Sequence, residues 1–329
     1  MPMPAISVAM SVYNGERFLG AAIESVLAQS FADFEFLVLD DGSTDATRAI
    51  IAHYAARDPR IRPILRENRG LIVSLNQLLN EARAPLVARM DADDICRPER
   101  FSRQIAFLNA NPDHGVIGSW SEDIDETGKL CAVSGTDHPV THDEVLAVIE
   151  QRSPLCHPSI MARRDVLLEV GGYHRAYRHC EDYDLWLRLA DRTRLANLPE
   201  RLLLYRRTDS QISNRFSIEQ HIGAAVSVLA YRERSAGRID PTEHLEALPP
   251  IAELDALFGR SGVAREVRAT VARGLLYSRP AMTGGGFTLL LDHIADGGRG
   301  TDLWRTVPRL LRFGVPHRAF RLAATLAAA

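Results

Sequence analysis

The sequence predicts an α/β fold with a mostly parallel central sheet, continued by a helical C-terminal region. Three observations carry that expectation. Short apolar runs alternate with longer amphipathic ones through the first half, the pattern of βαβ units. Polar punctuation falls after the apolar runs, at Tyr13-Asn14-Gly15-Glu16, Asp40-Asp41-Gly42-Ser43 and Asp91-Ala92-Asp93-Asp94. From about residue 214 strand-like runs give way to helix-length patterns.

Taken in order, "AISVAMSV" (5–12) reads as a buried strand, and 16–29 as a helix with Phe18, Leu19, Ala22, Ile23, Val26 and Leu27 on one stripe. "FEFLVLD" (34–40) is the second strand. The helix over 43–58 has Ser43 or Thr44 as its expected N-cap, ahead of Asp45. Residues 60–65 form a third strand, 71–82 a helix and 84–90 a fourth strand. Pro98 then opens a helix over 98–110, where its missing N–H costs nothing, and 115–120 is strand-like again. Helices are expected over 218–236, 248–259 and 263–277, with loops at "TGGGF" (283–287) and "DGGRG" (296–300). The expected division is 1–213 for the α/β domain and 214–329 for the helical region.

Composition bounds the function. The net charge is −3, with 46% apolar and 25% charged residues. That is ordinary for a globular protein and lacks the basic excess of a nucleic-acid binder. The four cysteines contain no CxxC pair, which argues against a zinc ribbon or redox motif and for reduced thiols. No basic region precedes a long apolar stretch at the N-terminus, so no signal peptide is expected. No segment is apolar over the roughly 20 residues a membrane span needs. The expected location is cytoplasmic, with any contact at the inner face of the membrane peripheral. The final stretch 303–329 holds five arginines and no acid. It offers a peripheral contact with an anionic membrane surface, although a solvated arginine face is the plainer reading.

In open parallel sheets ligands sit beyond the carboxyl ends of the strands, where this chain places its acids. Asp91, Asp93 and Asp94 fall within four consecutive positions at one strand end. Such a hard-oxygen cluster suits Mg2+ or Mn2+, which bridge carboxylates to substrate phosphates. An acidic cap at the N-terminus of the helix after Pro98 explains the same residues, and the two readings stand level on this stretch alone. In "DDGSTD" (40–45) a carboxylate can accept the imide N–H of a pyrimidine, or the stretch is simply a capped turn. Asp182 opens a helix over 182–191, where it is either a base or an N-cap backed by an Asp184–Arg188 pair.

Taken together, "ISVAMSVYNGERFLGAAIESVLAQSFADFEFLVLDDGSTDATRAII", "ARMDADDICRPERFSRQIAFL", "HPSIMARRDVLLEVGGY", "EDYDLWLRLA" and "PERLLLYRRTDSQIS" resemble the inverting family 2 glycosyltransferases of the GT-A fold. The likeness is to bacterial enzymes of cell-envelope and exopolysaccharide assembly and covers roughly 5–213. It implies a nucleotide-diphosphate-sugar donor, a UDP-sugar foremost, and a glycan or lipid-linked acceptor. By position it places Ser11, Tyr13 and Glu16 in the base and ribose pocket and Asp41 at the uracil ring. Asp91 falls beside the donor's ribose and diphosphate. Asp93 matches the metal aspartate of the D-x-D motif, with Asp94 as the alternative. Asp182 matches the general base, with Glu181 next to it.

Two positions depart from that pattern: Leu75 stands where members often carry arginine, and Thr208 where they often carry histidine. Asn68, Arg69 and Arg89 are the candidates for the phosphate or base contacts missing at Leu75, and Arg206 and Arg207 the charge substitutes at Thr208. His157 and Trp186 read as structural or acceptor-side. A homo-oligomer is compatible with the sequence. A sugar nucleotidyltransferase would need a richer glycine and arginine loop than "YNGER", and a non-catalytic sugar-nucleotide binder would not need both Asp93 and Asp182. A dinucleotide oxidoreductase is disfavoured because no GxGxxG follows the first strand.

Overall fold

The computed structural model describes residues 3–132, 135–208 and 217–328. The chain divides into two compact units, Met1–His174 with Leu185–Thr208 and Arg175–Asp184 with Asp209–Ala329. The expected boundary at 213/214 lies outside the described residues.

The first unit is built from β1 (Ile6–Val12), α1 (Leu19–Leu27), β2 (Phe34–Asp41), α2 (Thr47–Ala55), β3 (Ile61–Arg66), α3 (Leu71–Glu81) and β4 (Leu86–Asp91). There follow β5 (Ile95–Cys96), α4 (Arg100–Ala110), β6 (His114–Ile124), α5 (His142–Val148), β7 (Met161–Arg163), α6 (Arg164–Glu169), α7 (Glu181–Ala190), which belongs to this unit from Leu185 on, and β8 (Arg194–Arg206). The eight strands form one sheet in the order β3-β2-β1-β4-β7-β6-β8-β5. β3, β2, β1 and β4 run parallel, as do β6 and β8, while β7 and β5 are antiparallel to their neighbours.

Val8 and Met10 of β1, Phe36 and Val38 of β2 and Ala88 and Met90 of β4 are fully buried with Leu19, Ile23 and Val26 of α1. Each large apolar side chain so buried contributes about 1.5–3 kcal/mol relative to exposure. The register sets Ser11 opposite both Leu39 and Asp91, and Asp41 opposite Arg66. The ends of these four strands therefore finish level, on one rim.

One expected cap is corrected. α2 begins at Thr47 after Ala46, and neither Ser43 nor Thr44 caps it. The hydroxyl of Ser43 instead accepts from the backbone of Asn14 on the neighbouring loop, a partner that local sequence spacing cannot reveal.

The second unit comprises α8 (Ser217–Ser235), α9 (Leu254–Leu257), α10 (Val263–Leu275), α11 (Arg279–Thr283), α12 (Gly286–Ala295), α13 (Thr301–Arg312) and α14 (Pro316–Ala328). The expected loop at 283–287 shrinks to two residues, since Gly286 and Phe287 already belong to α12. Val226, Leu229, Val271, Leu290, Leu303, Leu310 and Leu322 share its core. Tyr177 is fully buried in the same core, and its hydroxyl lies 2.8 Å from Thr242 Oγ1. Among the described residues no helix is long and apolar enough to cross a membrane.

Candidate active site

The loops after β1 and β2 are bound to each other by reciprocal side-chain-to-backbone bonds. Asn14 N–H donates to Ser43 Oγ (2.8 Å), Gly15 N–H to Thr47 Oγ1 (2.9 Å) and Glu16 N–H to Asp45 Oδ2 (3.0 Å). In return Thr44 N–H donates to Asn14 Oδ1 and Ala46 N–H to Glu16 Oε2, both at 2.8 Å. Gly42 makes the close approach beside them possible. Its φ is +82°, and a Cβ there would meet Asn68 N at 2.5 Å. The rim is thus fixed in shape, with Tyr13 (54% exposed) standing out from it.

Asp40 and Asp41 are both buried. Asp40 takes Arg48 Nε at 2.7 Å and Ser43 N–H at 3.1 Å. Asp41 takes Arg66 Nε at 2.9 Å, Arg69 N–H at 3.0 Å and Gly70 N–H at 2.8 Å. Asp41 therefore braces the loop 66–70, which carries the exposed Asn68.

The third strand end is different. Asp91 closes β4, and residues 92–94 turn before β5, which pairs with Leu203 and Leu204 of β8. Held between two strands, the turn gathers Asp91, Asp93 and Asp94 so that their ligand oxygens lie within 4.8 Å of one another. The compensation is thin. Asp91 pairs with Arg89. Asp94 is 1% exposed; its Oδ1 accepts from Arg206 N–H at 2.8 Å, and its Oδ2 is buried with no hydrogen-bond partner. Burial, and then the charge of Asp91, pushes the Asp93 carboxyl up to about 6. Burial, with Asp91 and Asp93 beside it, pushes Asp94 well above the usual carboxylate range. A buried carboxylate oxygen left bare beside two further acids fits a divalent cation with oxygen ligands, and no nitrogen or sulfur donor is needed.

Comparison with known proteins gives the family. Residues 7–171 match the model of the family described as glycosyl transferase family 2. The chain belongs to glycosyl transferase family 2. EpsE of Bacillus subtilis is 37% identical over 230 residues, covering 68% of this chain and 81% of EpsE. The UDP-Gal:alpha-D-GlcNAc-diphosphoundecaprenol beta-1,3-galactosyltransferase of Escherichia coli is 30% identical over 192 residues, covering 56% of this chain and 67% of that protein. Further relatives are named for O-antigen and amylovoran biosynthesis. The Staphylococcus aureus TarS 1–349 structure in complex with UDP-GlcNAc shares the GT-A type fold. Its TM-score is 0.57 at 17% identity, with 96% of this chain and 87% of that one covered. The protein is a family 2 glycosyltransferase of polysaccharide biosynthesis.

Within this family 2 domain, Ser11, Asp41, Asp91, Asp93 and Asp94 stand at the carboxyl ends of adjacent strands. Tyr13, Glu16 and Asn68 stand on the loops that follow β1 and β3. Asp182 and Glu181 lie in the first turn of α7 and group with the helical unit; Glu181 is buried and Asp182 half-buried. Leu75, at the first departure, is 2% exposed and lines a small cavity with Ala9, Leu79, Val87, Arg89 and Tyr173. His157 pairs with the Tyr173 hydroxyl at 2.8 Å, and Trp186 is fully buried.

Arg206 was expected only as a substitute charge. The structure gives it a larger part. Its Nε donates to Asp93 O at 2.7 Å, a terminal nitrogen donates to Asp125 O at 2.8 Å, and its guanidinium lies 4.4 Å over the Phe18 ring. Arg100, fully buried, donates to Arg89 O at 2.7 Å and Ile160 O at 3.0 Å, and so stiffens the end of β4 from beneath. The arginine pair closing the apolar "LLLYRR" run was the available signal for the first, and "RPERF" for the second.

Proposed function

We propose that this chain is an inverting transferase that takes a nucleotide-diphosphate sugar, a UDP-sugar foremost, and passes the sugar to a hydroxyl of a glycan or lipid-linked acceptor. In this reading residues 1–213 are the transferase domain, and 214–329 serve the acceptor, self-association or membrane contact. It works on the cytoplasmic side, where nucleotide sugars are available. The observation that carries it is the bare, buried Oδ2 of Asp94 beside Asp91 and Asp93 at the strand ends.

Asp93 and Asp94 would hold Mn2+ or Mg2+, with Asp91 next to them. The ion supplies charge neutralisation for the departing diphosphate. Ser11, Tyr13, Glu16, Asp41 and Asn68 form the base and ribose side. Asp182, with Glu181 beside it, accepts the proton of the acceptor hydroxyl as that oxygen bonds to the anomeric carbon. The bond from that carbon to the diphosphate breaks, its electron pair leaves with the nucleotide, and a single displacement inverts the centre. A positioned base of this kind contributes roughly 10²–10⁴-fold. The E. coli relative named for a UDP-galactose donor and a diphosphoundecaprenol-linked acceptor supports the choice of both substrate classes.

The test is a thermal-shift titration with UDP and with a panel of nucleotide sugars, each with and without Mn2+, since ligands stabilise by mass action. Mn2+ is expected to strengthen UDP binding, and Asp93→Ala to remove the increment. Equal binding by the variant with and without metal, matching the native protein, refutes the metal assignment. A preference for nucleoside triphosphates over nucleotide sugars points to a nucleotidyltransferase instead. Asp182→Asn is expected to keep donor binding and lose turnover; unchanged turnover moves the base elsewhere.

A further inference from the structure

Four large apolar side chains stand exposed in the last part of the helical unit: Tyr277 (73%), Trp304 (48%), Leu311 (49%) and Phe320 (73%). On α13 the buried side is Leu303, Thr306 and Leu310. Trp304, Pro308 and Leu311 follow one another at helical spacing on the opposite, exposed side. Arg305 and Arg312, also seven residues apart, run beside that strip and are exposed. α14 repeats the pattern, with Phe320 and Arg321 exposed over buried Ala319, Leu322 and Leu326.

The five arginines of this stretch have two different duties. Arg309 donates to Leu276 O at 3.1 Å and lies 4.0 Å over the Tyr277 ring, and Arg318 donates to Met282 O at 2.8 Å and Gly284 O at 2.7 Å. Those two hold the fold. Arg305, Arg312 and Arg321 are exposed, and their guanidinium groups take part in none of the ion pairs or hydrogen bonds of the described residues. No acid occurs anywhere in 303–329 to answer them. Pro308 also withholds the N–H that Trp304 O would receive in an unbroken helix, a cost that is low only on a wet or polar face.

We infer that the outer face of α13, continued by Phe320 and Arg321 of α14, is a docking surface for an anionic phospholipid bilayer. The side chains match the two layers of such a surface. Indole and aliphatic groups settle at the boundary of headgroup and acyl chain, and guanidinium groups pair with lipid phosphates. A soluble protein partner would need acids facing three unpaired arginines, whereas an anionic leaflet supplies that charge as a continuous surface. The inference does not rest on the transferase reading, because it uses no residue of the proposed site.

The test is sedimentation of the full chain with vesicles of phosphatidylcholine alone or with about a third phosphatidylglycerol. Binding is expected only to the anionic vesicles, weakening as salt rises. Arg305→Gln, Arg312→Gln and Arg321→Gln should each lower partitioning by roughly fivefold. Trp304 fluorescence should shift to shorter wavelength on binding and be quenched by brominated lipid, and Trp304→Phe should remove both signals. Equal binding to neutral vesicles, or no loss in the triple arginine variant with its melting temperature preserved, overturns the inference. So does concentration-dependent self-association that the same arginine changes abolish, since the face then belongs to a second copy. UDP binding by the triple variant is expected to be unchanged, which separates this result from any failure of the donor site.

Discussion

Glu35 and the 91–94 turn, two acidic places on the same sheet, treat buried carboxylates in opposite ways. At the amino ends, Glu35 of β2 is buried and receives Ser7 Oγ at 2.6 Å, Arg62 at 2.6 Å, and Arg83 N–H and Nε at 2.8 Å. Burial pushes this carboxyl up, but hydrogen bonds from Ser7, Arg83 and Arg62 outweigh it and hold it down at about 2. At the carboxyl ends three acids share Arg89 and the neighbouring Arg206, and the shift goes the other way, with Asp93 raised to about 6. One acid receives two arginines, while three acids receive fewer bonds than their oxygens can accept. The fold can neutralise a buried carboxylate. It does so at the carboxyl rim too, where Asp40 takes Arg48 and Asp41 takes Arg66, so its failure at the 91–94 turn marks a place where stability yields to binding.

The largest expected effect comes from removing an acid at the uncompensated turn. On the proposed metal assignment, Asp93→Ala should lower turnover by about 10³-fold, because several kcal/mol of leaving-group stabilisation would go with the metal. Its folded stability should stay at or above that of the native protein. Turnover within a few-fold of native, measured with saturating Mn2+ and a nucleotide-sugar donor, would remove the basis for contrasting the two places.

Next in size is a pair of changes expected to act with opposite sign. Glu35→Gln strands two arginines and should cost about 2–3 kcal/mol. That figure sits at the lower side because the Arg83 side chain is 53% exposed and Arg62 32% exposed. Asp94→Asn keeps the Oδ1 acceptor for Arg206 N–H and removes a buried charge. It should therefore stabilise the metal-free protein by about 1 kcal/mol while weakening Mn2+ binding. Urea unfolding of both variants in chelator decides it. Two losses of equal size would mean that both clusters are simply structural.

The contrast also shows what was readable beforehand. The alternation of apolar runs placed β1 to β4 and their helices within a few residues, because β1, β2 and β4 are buried on both sheet faces and must be continuously apolar. The acidic cluster was legible because its members are almost contiguous. What bound the rim together was not. Asn14 and Ser43 are 29 residues apart, Arg206 and Asp94 are 112 apart, and each bond depends on a loop path that no periodicity encodes. The capping role expected for Ser43 failed for the same reason: a local rule lost to a distant backbone donor. Asp182 was singled out by motif alone. The anchoring of its segment through Tyr177 to Thr242, 65 residues away, carries no local sequence signature.

The smallest effect is a pH dependence in which the two places oppose each other. Glu35 goes from 4.5 unfolded to about 2 folded. Between those values the unfolded chain holds more protons, so stability rises with pH and is fully present above 4.5. Asp93 goes from 3.8 unfolded to about 6 folded. There the native protein holds the extra proton, so stability falls as pH rises through that window, by about 1–2 kcal/mol after allowing for its partial exposure. The metal-free protein should accordingly melt highest near pH 4.5 as far as these two groups govern it, and lose stability toward pH 6. On the proposed metal assignment saturating Mn2+ would take the place of the proton and should flatten the decline, as should Asp93→Asn, while Glu35→Gln should erase only the rise on the acid side. A metal-free melting temperature that climbs steadily from pH 4 to 7 in the native protein would mean the three aspartates are compensated after all, and the two acidic places would then be alike.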